Sequence, residues 1–117
     1  MIPQACDIII GHLLENNFLN EERFAQSFAR GKFRIKGWGK NRITSELKLR
    51  DISKYIIASA MKEISDEEYM ASFHHIADKQ WEMTREGNIL KKKRKVADFL
   101  LRKGYESNLI MDKMASF

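Results

Sequence analysis

Two groups of cations carry the densest chemistry in this chain. The first, Lys32, Arg34, Lys36, Lys40 and Arg42, is threaded through the glycines and tryptophan of GKFRIKGWGKNRI, residues 31–43. The second is the run KKKRK (Lys91, Lys92, Lys93, Arg94 and Lys95), followed in the same segment by Arg102 and Lys103. Clustered ammonium and guanidinium groups attract phosphates and carboxylates through their summed field and the release of counterions. Such contacts position a partner without reading its base sequence. A solvated helix face is the other reading of a charge run.

Other chemistries find less support. Phe24, Phe28, Trp38 and Trp81 could stack bases, as a single-strand binder requires, but helical spacing of Phe24, Phe28 and Trp81 favours core. Trp38, flanked by Gly37 and Gly39, is expected to pack where a helix begins, and Arg23 to pair with a nearby carboxylate. Cys6, His12, His74 and His75 lack metal-ligand spacing. No Gly-rich phosphate loop is present, since GKN at Gly39–Asn41 is too short. The acidic pairs Glu21-Glu22 and Glu67-Glu68 sit at helix starts, where the helix dipole accounts for them. The reading is a protein that is not an enzyme and needs no cofactor or metal. Helix-turn-helix and zinc-finger spacings are missing too, so specific base reading is not expected.

The elements that must position these cations are helices. Apolar residues around Ile8, Ile9 and Leu13 predict a first helix, broken at Asn16-Asn17. Asn20 is a candidate cap for a second, which carries Phe24, Ala25 and Phe28 and ends between Gly31 and Gly37. The alternation from Lys32 to Lys36 has strand period but only five residues, leaving an extended stretch as the minor alternative. A third helix over 40–50 turns Ile43 and Leu47 inward. Ser53 caps a fourth, with Ile52 and Ile57 placed for a hydrophobic staple. Ser65 and Glu68 form a capping box for a fifth, whose face is Tyr69, Phe73, Ile76, Ala77 and Trp81. After a turn at Gly87-Asn88, a basic sixth helix spans 89–102 and stops at Gly104. A seventh carries Leu109, Ile110 and Met114.

The chain of 117 residues has 44% hydrophobic and 32% charged residues, one proline and a net charge of +5. That composition describes a folded helical protein with a lean towards acidic partners. A single cysteine excludes an intramolecular disulfide, and no apolar run reaches the ~18 residues of a membrane span. A cytoplasmic location without membrane contact is expected, and a monomer.

Shifting the chain by about 53 residues superposes its halves. Ile43 falls on Val96, Leu47 on Leu100, Ile52 on Tyr105, Ile57 on Ile110, Met61 on Met114 and Phe28 on Trp81. Lys40 meets Lys93, Arg42 meets Lys95 and Arg50 meets Lys103. The predicted fold is all-α: three-helix repeats stacked into an elongated, curved body. The repeats span 18–64 and 65–117, after a last helix of an earlier repeat in 1–17.

The stretch NNFLNEERFAQSFARGKFRIKGWGKNRITSEL, residues 16–47, resembles the RecX family of bacterial recombination regulators. The matching features are the acidic pair Glu21-Glu22, then Arg23, Phe24 and Ala25, then Phe28, and Trp38-Gly39 before a basic helix containing Leu47. The ending LLRKGYESNLI, residues 100–110, is similar to the family's last repeat. The resemblance implies three tandem repeats, of which the first is mostly missing here. It also implies a regulator that lodges in the RecA filament on single-stranded DNA, blocks ATP hydrolysis and strand exchange, and favours disassembly. Direct DNA binding by a helical module is the alternative, and a scaffold for another acidic protein a third reading.

Overall fold

A computed structural model describes the backbone of residues 3–117 and the side chains of residues 20–117. Among the described residues there are six helices and no strand: α1 (Pro3–Lys36), α2 (Lys40–Leu49), α3 (Lys54–Met61), α4 (Asp66–Met83), α5 (Ile89–Lys103) and α6 (Ser107–Ser116). The predicted break at Asn16-Asn17 is absent, and Asn20 lies inside α1 rather than capping a helix. Asparagine is a weak breaker, costing at most ~0.7 kcal/mol relative to alanine in a helix interior. Gly37 is what ends α1. It sits at φ +68°, a conformation that favours glycine, and its N–H donates to the Phe33 carbonyl at 3.1 Å. Lys32 to Lys36 are therefore the last helical turn, not an extended segment.

The remaining helix ends follow local chemistry. The side chains of Ser53, Ser65 and Asn88 accept from the backbone N–H groups of Ile56, Glu68 and Lys91, capping α3, α4 and α5. Only half of the predicted capping box forms, because the Glu68 carboxylate turns to Arg34 instead.

The internal repeat is visible in hydrogen bonds. At the end of α2, Asp51 N–H donates to Lys48 and Ile52 N–H to Leu47. At the end of α5, Gly104 N–H donates to Leu101 and Tyr105 N–H to Leu100. These are two copies of one Schellman turn, with left-handed Asp51 (φ 59°) where the second copy has Gly104 (φ 100°).

One apolar core runs through both units. Ala25, Ala29 and Phe33 come from α1, Ile43 and Leu47 from α2, and Ile56, Ile57 and Ala60 from α3. Tyr69, Phe73 and Ala77 of α4, Val96 and Leu100 of α5, Tyr105 and Ile110 continue it. Small Ala25 and Ala29 leave room for α3, the main neighbour of α1. Both staple residues, Ile52 and Ile57, are buried. Phe24 departs from its predicted place in the core and is 46% exposed. The buried line of α1 follows every fourth residue, Ala25–Ala29–Phe33, and Phe24 lies ~100° to its side, leaning on Phe28. The chain is elongated, with extents of 75 × 22 × 20 Å and a radius of gyration of 19.6 Å. A compact chain of this length would have about 13 Å.

Candidate interaction surface

The site is built around the place where the C-terminus of α5 meets the N-terminus of α2. Gly39 N–H donates to the Lys103 carbonyl at 2.7 Å, and Asn41 N–H to the Gly104 carbonyl at 2.9 Å. Lys40 N–H donates to the Tyr69 hydroxyl at 3.0 Å. The orphan N–H groups of one helix thus satisfy the orphan carbonyls of another, with the dipole ends attracting. α2 needs this, because Gly39 provides no side-chain cap. A Cβ on Gly39 would overlap the Gly104 carbonyl and Tyr105 nitrogen, and one on Gly104 would overlap the backbone of Arg42. Two backbones cross here with no space for a side chain.

Tyrosines lock the joint. The Tyr69 hydroxyl donates to the Glu106 carboxylate, and Tyr105 donates to the Gly37 carbonyl at 3.0 Å. Burial first, then the bond to Glu106, pushes the Tyr69 phenol far above its ordinary range. Burial likewise raises Tyr105. Lys103 Nζ donates to the Lys36 carbonyl at 2.8 Å, closing the open end of α1.

The predicted cations divide into two classes around this joint. Several are engaged within the chain. Lys32 lies over Phe28 and Trp38, Arg34 meets Glu68 at 3.5 Å, and Lys40 sits over Tyr69 and 3.6 Å from Asp66. Lys92 covers Trp81 at 4.3 Å, and Lys95 pairs with Glu86 at 2.8 Å. That bond to Lys95, with backbone donors at Asn88 and Gly87, lowers the Glu86 carboxyl below its usual value. Lys93 is half-buried. By contrast, Lys36, Lys91, Arg94 and Arg102 are exposed and form no ion pair or cation–π contact among the described residues, while exposed Arg42 has no ion pair there but lies over Trp38.

Lys91, Arg94 and Arg102 recur at helical spacing along the solvent face of α5, a row about 16 Å long at 1.5 Å per residue. Arg42 extends it across the joint, donating to the Arg102 carbonyl at 3.2 Å. The run Lys91 to Lys95 also stands at the positive end of α5, whose first turn holds no acid. Intrahelical stability opposes that placement, whereas an anion brought to it gains from lysines and dipole together.

The two tryptophan rings are poorly placed for bases. Trp81 stacks on Phe117 at 4.2 Å and 7°, and Lys92 Nζ lies over the same ring at 4.3 Å. Trp38 is half-buried, with Phe28 at its edge and the Arg42 guanidinium 4.2 Å above its ring. Among the motif residues, Glu22 accepts from Ser59 at 2.7 Å and ties α1 to α3, while Ala25 and Leu47 are buried. Arg23 is exposed and has no carboxylate partner among the described residues, because its helical neighbours three and four positions away (Leu19, Asn20, Gln26 and Ser27) include no acid. His74 and His75 are exposed, while the side chains of Cys6 and His12 lie outside the described residues. The sequence reading missed the joint itself. Its signal was Gly104 falling on Asp51 in the repeat, with a glycine on each side of Trp38.

Residues 20–61 match the second three-helix domain of RecX, and residues 66–114 match the third. The chain is 31% identical over 107 residues to the regulatory protein RecX of Yersinia enterocolitica, covering 88% of this chain and 60% of that protein. It is 24% identical over 102 residues to the RecX of Bacillus cytotoxicus, covering 87% and 38%. With the RecX of Lactobacillus johnsonii it shares 32% identity over 68 residues, covering 58% and 25%. The chain therefore spans between a quarter and three-fifths of these relatives' lengths. No solved structure matches it. No helix among the described residues is long and apolar enough to cross a membrane.

Proposed function

The chain belongs to the RecX family, and from that premise we propose that it binds the RecA filament on single-stranded DNA and restrains its ATP hydrolysis and strand exchange. It does so as a cytoplasmic monomer without catalysis of its own. Residues 18–64 and 65–117 are its two stacked repeats, and the part of α1 before residue 18, continuous with the first helix of 18–64, belongs to a preceding one. Family membership carries this reading. The α5 row of Lys91, Arg94 and Arg102, extended by Arg42, supports it physically. A rigid row of cations not committed to internal pairs is suited to the phosphates and acidic side chains of a protein-coated strand. The crossing at Gly39 and Gly104 keeps the row's two parts in one register.

The same row favours a second reading, direct binding to DNA with no protein target. One experiment separates the two. The chain is added to RecA on single-stranded DNA while ATP hydrolysis is followed, with binding to bare DNA measured beside it. Inhibition with negligible affinity for bare DNA removes the second reading. Unchanged hydrolysis at concentrations that saturate DNA removes the first.

A further inference from the structure

Beside the joint lies an open groove of about 440 Å³, between the last turn of α1, one face of α4 and the C-terminal half of α5. Arg34, Lys36, Lys79 and Lys103 line it together with His75, and no carboxylate does. Phe33, Ile76 and Phe99 provide apolar lining. Two further lining residues, Ile35 and Met83, stand 81% and 64% exposed.

We infer that this groove docks a protein segment in which carboxylates flank a bulky apolar side chain. The cations set the sign of the partner. Ile35 and Met83 decide its class. A phosphodiester strand would neutralise the lysines but leave both apolar side chains in water. Nor does the groove offer a clear ring for a base: Phe33 is buried near Tyr69, and Lys103 Nζ lies 5.8 Å from the centroid of Phe99. An acidic segment with an apolar anchor satisfies both kinds of surface. The groove thereby extends the proposed function, assigning Lys79 and Lys103 to a protein contact and leaving the α5 row to phosphates. Its test does not depend on RecA.

Fluorescence anisotropy of the whole chain is measured with three labelled probes. These are the peptide Glu-Glu-Leu-Phe-Glu-Glu, the same peptide with glutamine for each glutamate, and a polythymidine strand. The acidic peptide binds saturably, about tenfold or more tighter than its glutamine version. Lys79→Glu weakens it roughly tenfold and Met83→Ser a few-fold, while polythymidine binding changes less than about twofold. Both positions are solvent-exposed, so the variants keep the fold. Three outcomes overturn the inference: no saturable peptide binding up to about 1 mM, equal affinity for the glutamine peptide, or polythymidine weakened as much as the peptide. The last assigns the groove to nucleic acid. A chain that binds the peptide but leaves RecA hydrolysis unchanged defeats only the proposed function.

Discussion

α2 and α5 hold the same place in successive repeats and finish in the same hydrogen-bonded turn, yet they begin differently. α2 has 10 residues and starts after Gly37-Trp38-Gly39, with its N–H groups taken by α5 and Tyr69. α5 has 15 residues, starts a turn earlier in the repeat, and is capped only by its own Asn88. One helix start is absorbed into the joint, and the other stays open to solvent with a run of cations on it. Like residues at like positions therefore do different work. Arg42 lies over Trp38 and donates to the Arg102 carbonyl in the joint, while its repeat counterpart Lys95 pairs with Glu86.

The largest expected effect comes from breaking the joint that makes the two helices unequal. Gly39→Ala forces a Cβ into the Gly104 backbone and should cost about 3 kcal/mol or more. Gly87→Ala, at the corresponding join with nothing near its Cβ, should stay within ~0.5 kcal/mol. Thermal melts of both variants check this, and equal losses would mean the joint is not what distinguishes the repeats.

Core truncation tests where the two helices are alike. Leu47→Ala and Leu100→Ala remove fully buried side chains from matched positions, and each should destabilise by roughly 2–5 kcal/mol in urea unfolding. A variant melting in two steps would show that the repeats fold separately.

Removing the lock is milder. Tyr69→Phe should cost about 1–3 kcal/mol by leaving the Lys40 N–H unpaired. The sign of the pH effect follows from the raised phenol. Above the ordinary tyrosine value of 10.0 the unfolded chain releases a proton that the folded chain retains, so stability falls as pH rises. The wild type should lose stability through that window, and Tyr69→Phe should lose less.

Charge reversal separates the two classes of cation. Lys91→Glu with Arg94→Glu should leave the melting temperature nearly unchanged while weakening filament or DNA binding about tenfold or more and flattening its salt dependence. Lys40→Glu should instead lower the melting temperature, through loss of contact with Asp66 and Tyr69. The smallest effect belongs to Glu86→Gln. Glu86 is depressed by Lys95, so its contribution is present at neutral pH and lost as pH falls through the folded carboxyl value. Wild type and Glu86→Gln should converge in acid, which a pH series of melts would read.

Much of the fold was legible because it rests on local rules. Ser53 and Ser65 announce their helices, Gly87-Asn88 marks the turn before α5, Gly104 ends α5, and the matched stripes of Ile43–Leu47 and Val96–Leu100 reveal the repeat before any contact is known. The reading failed where local signals were weak. Asn16-Asn17 costs too little to stop a helix, and Phe24 lies one helical step from the buried line. Of the candidate surface, the residue types and their repetition were legible, but their availability was not. Whether a lysine is open or held depends on an aromatic ring or carboxylate from another helix, as with Lys92 over Trp81 or Arg34 against Glu68.

The sequence alone determined helix periods, caps, the turn shared by both repeats and the membership in one family, because these depend on residues a few positions apart. The tertiary structure decided the crossing of Gly39 with Gly104, the seating of the Tyr69 hydroxyl between Lys40 and Glu106, the groove beside Lys79 and the row running from Lys91 to Arg42. Each unites groups about 30 to 65 residues apart, whose meeting depends on how the repeats pack, and nothing in local propensity encodes that angle.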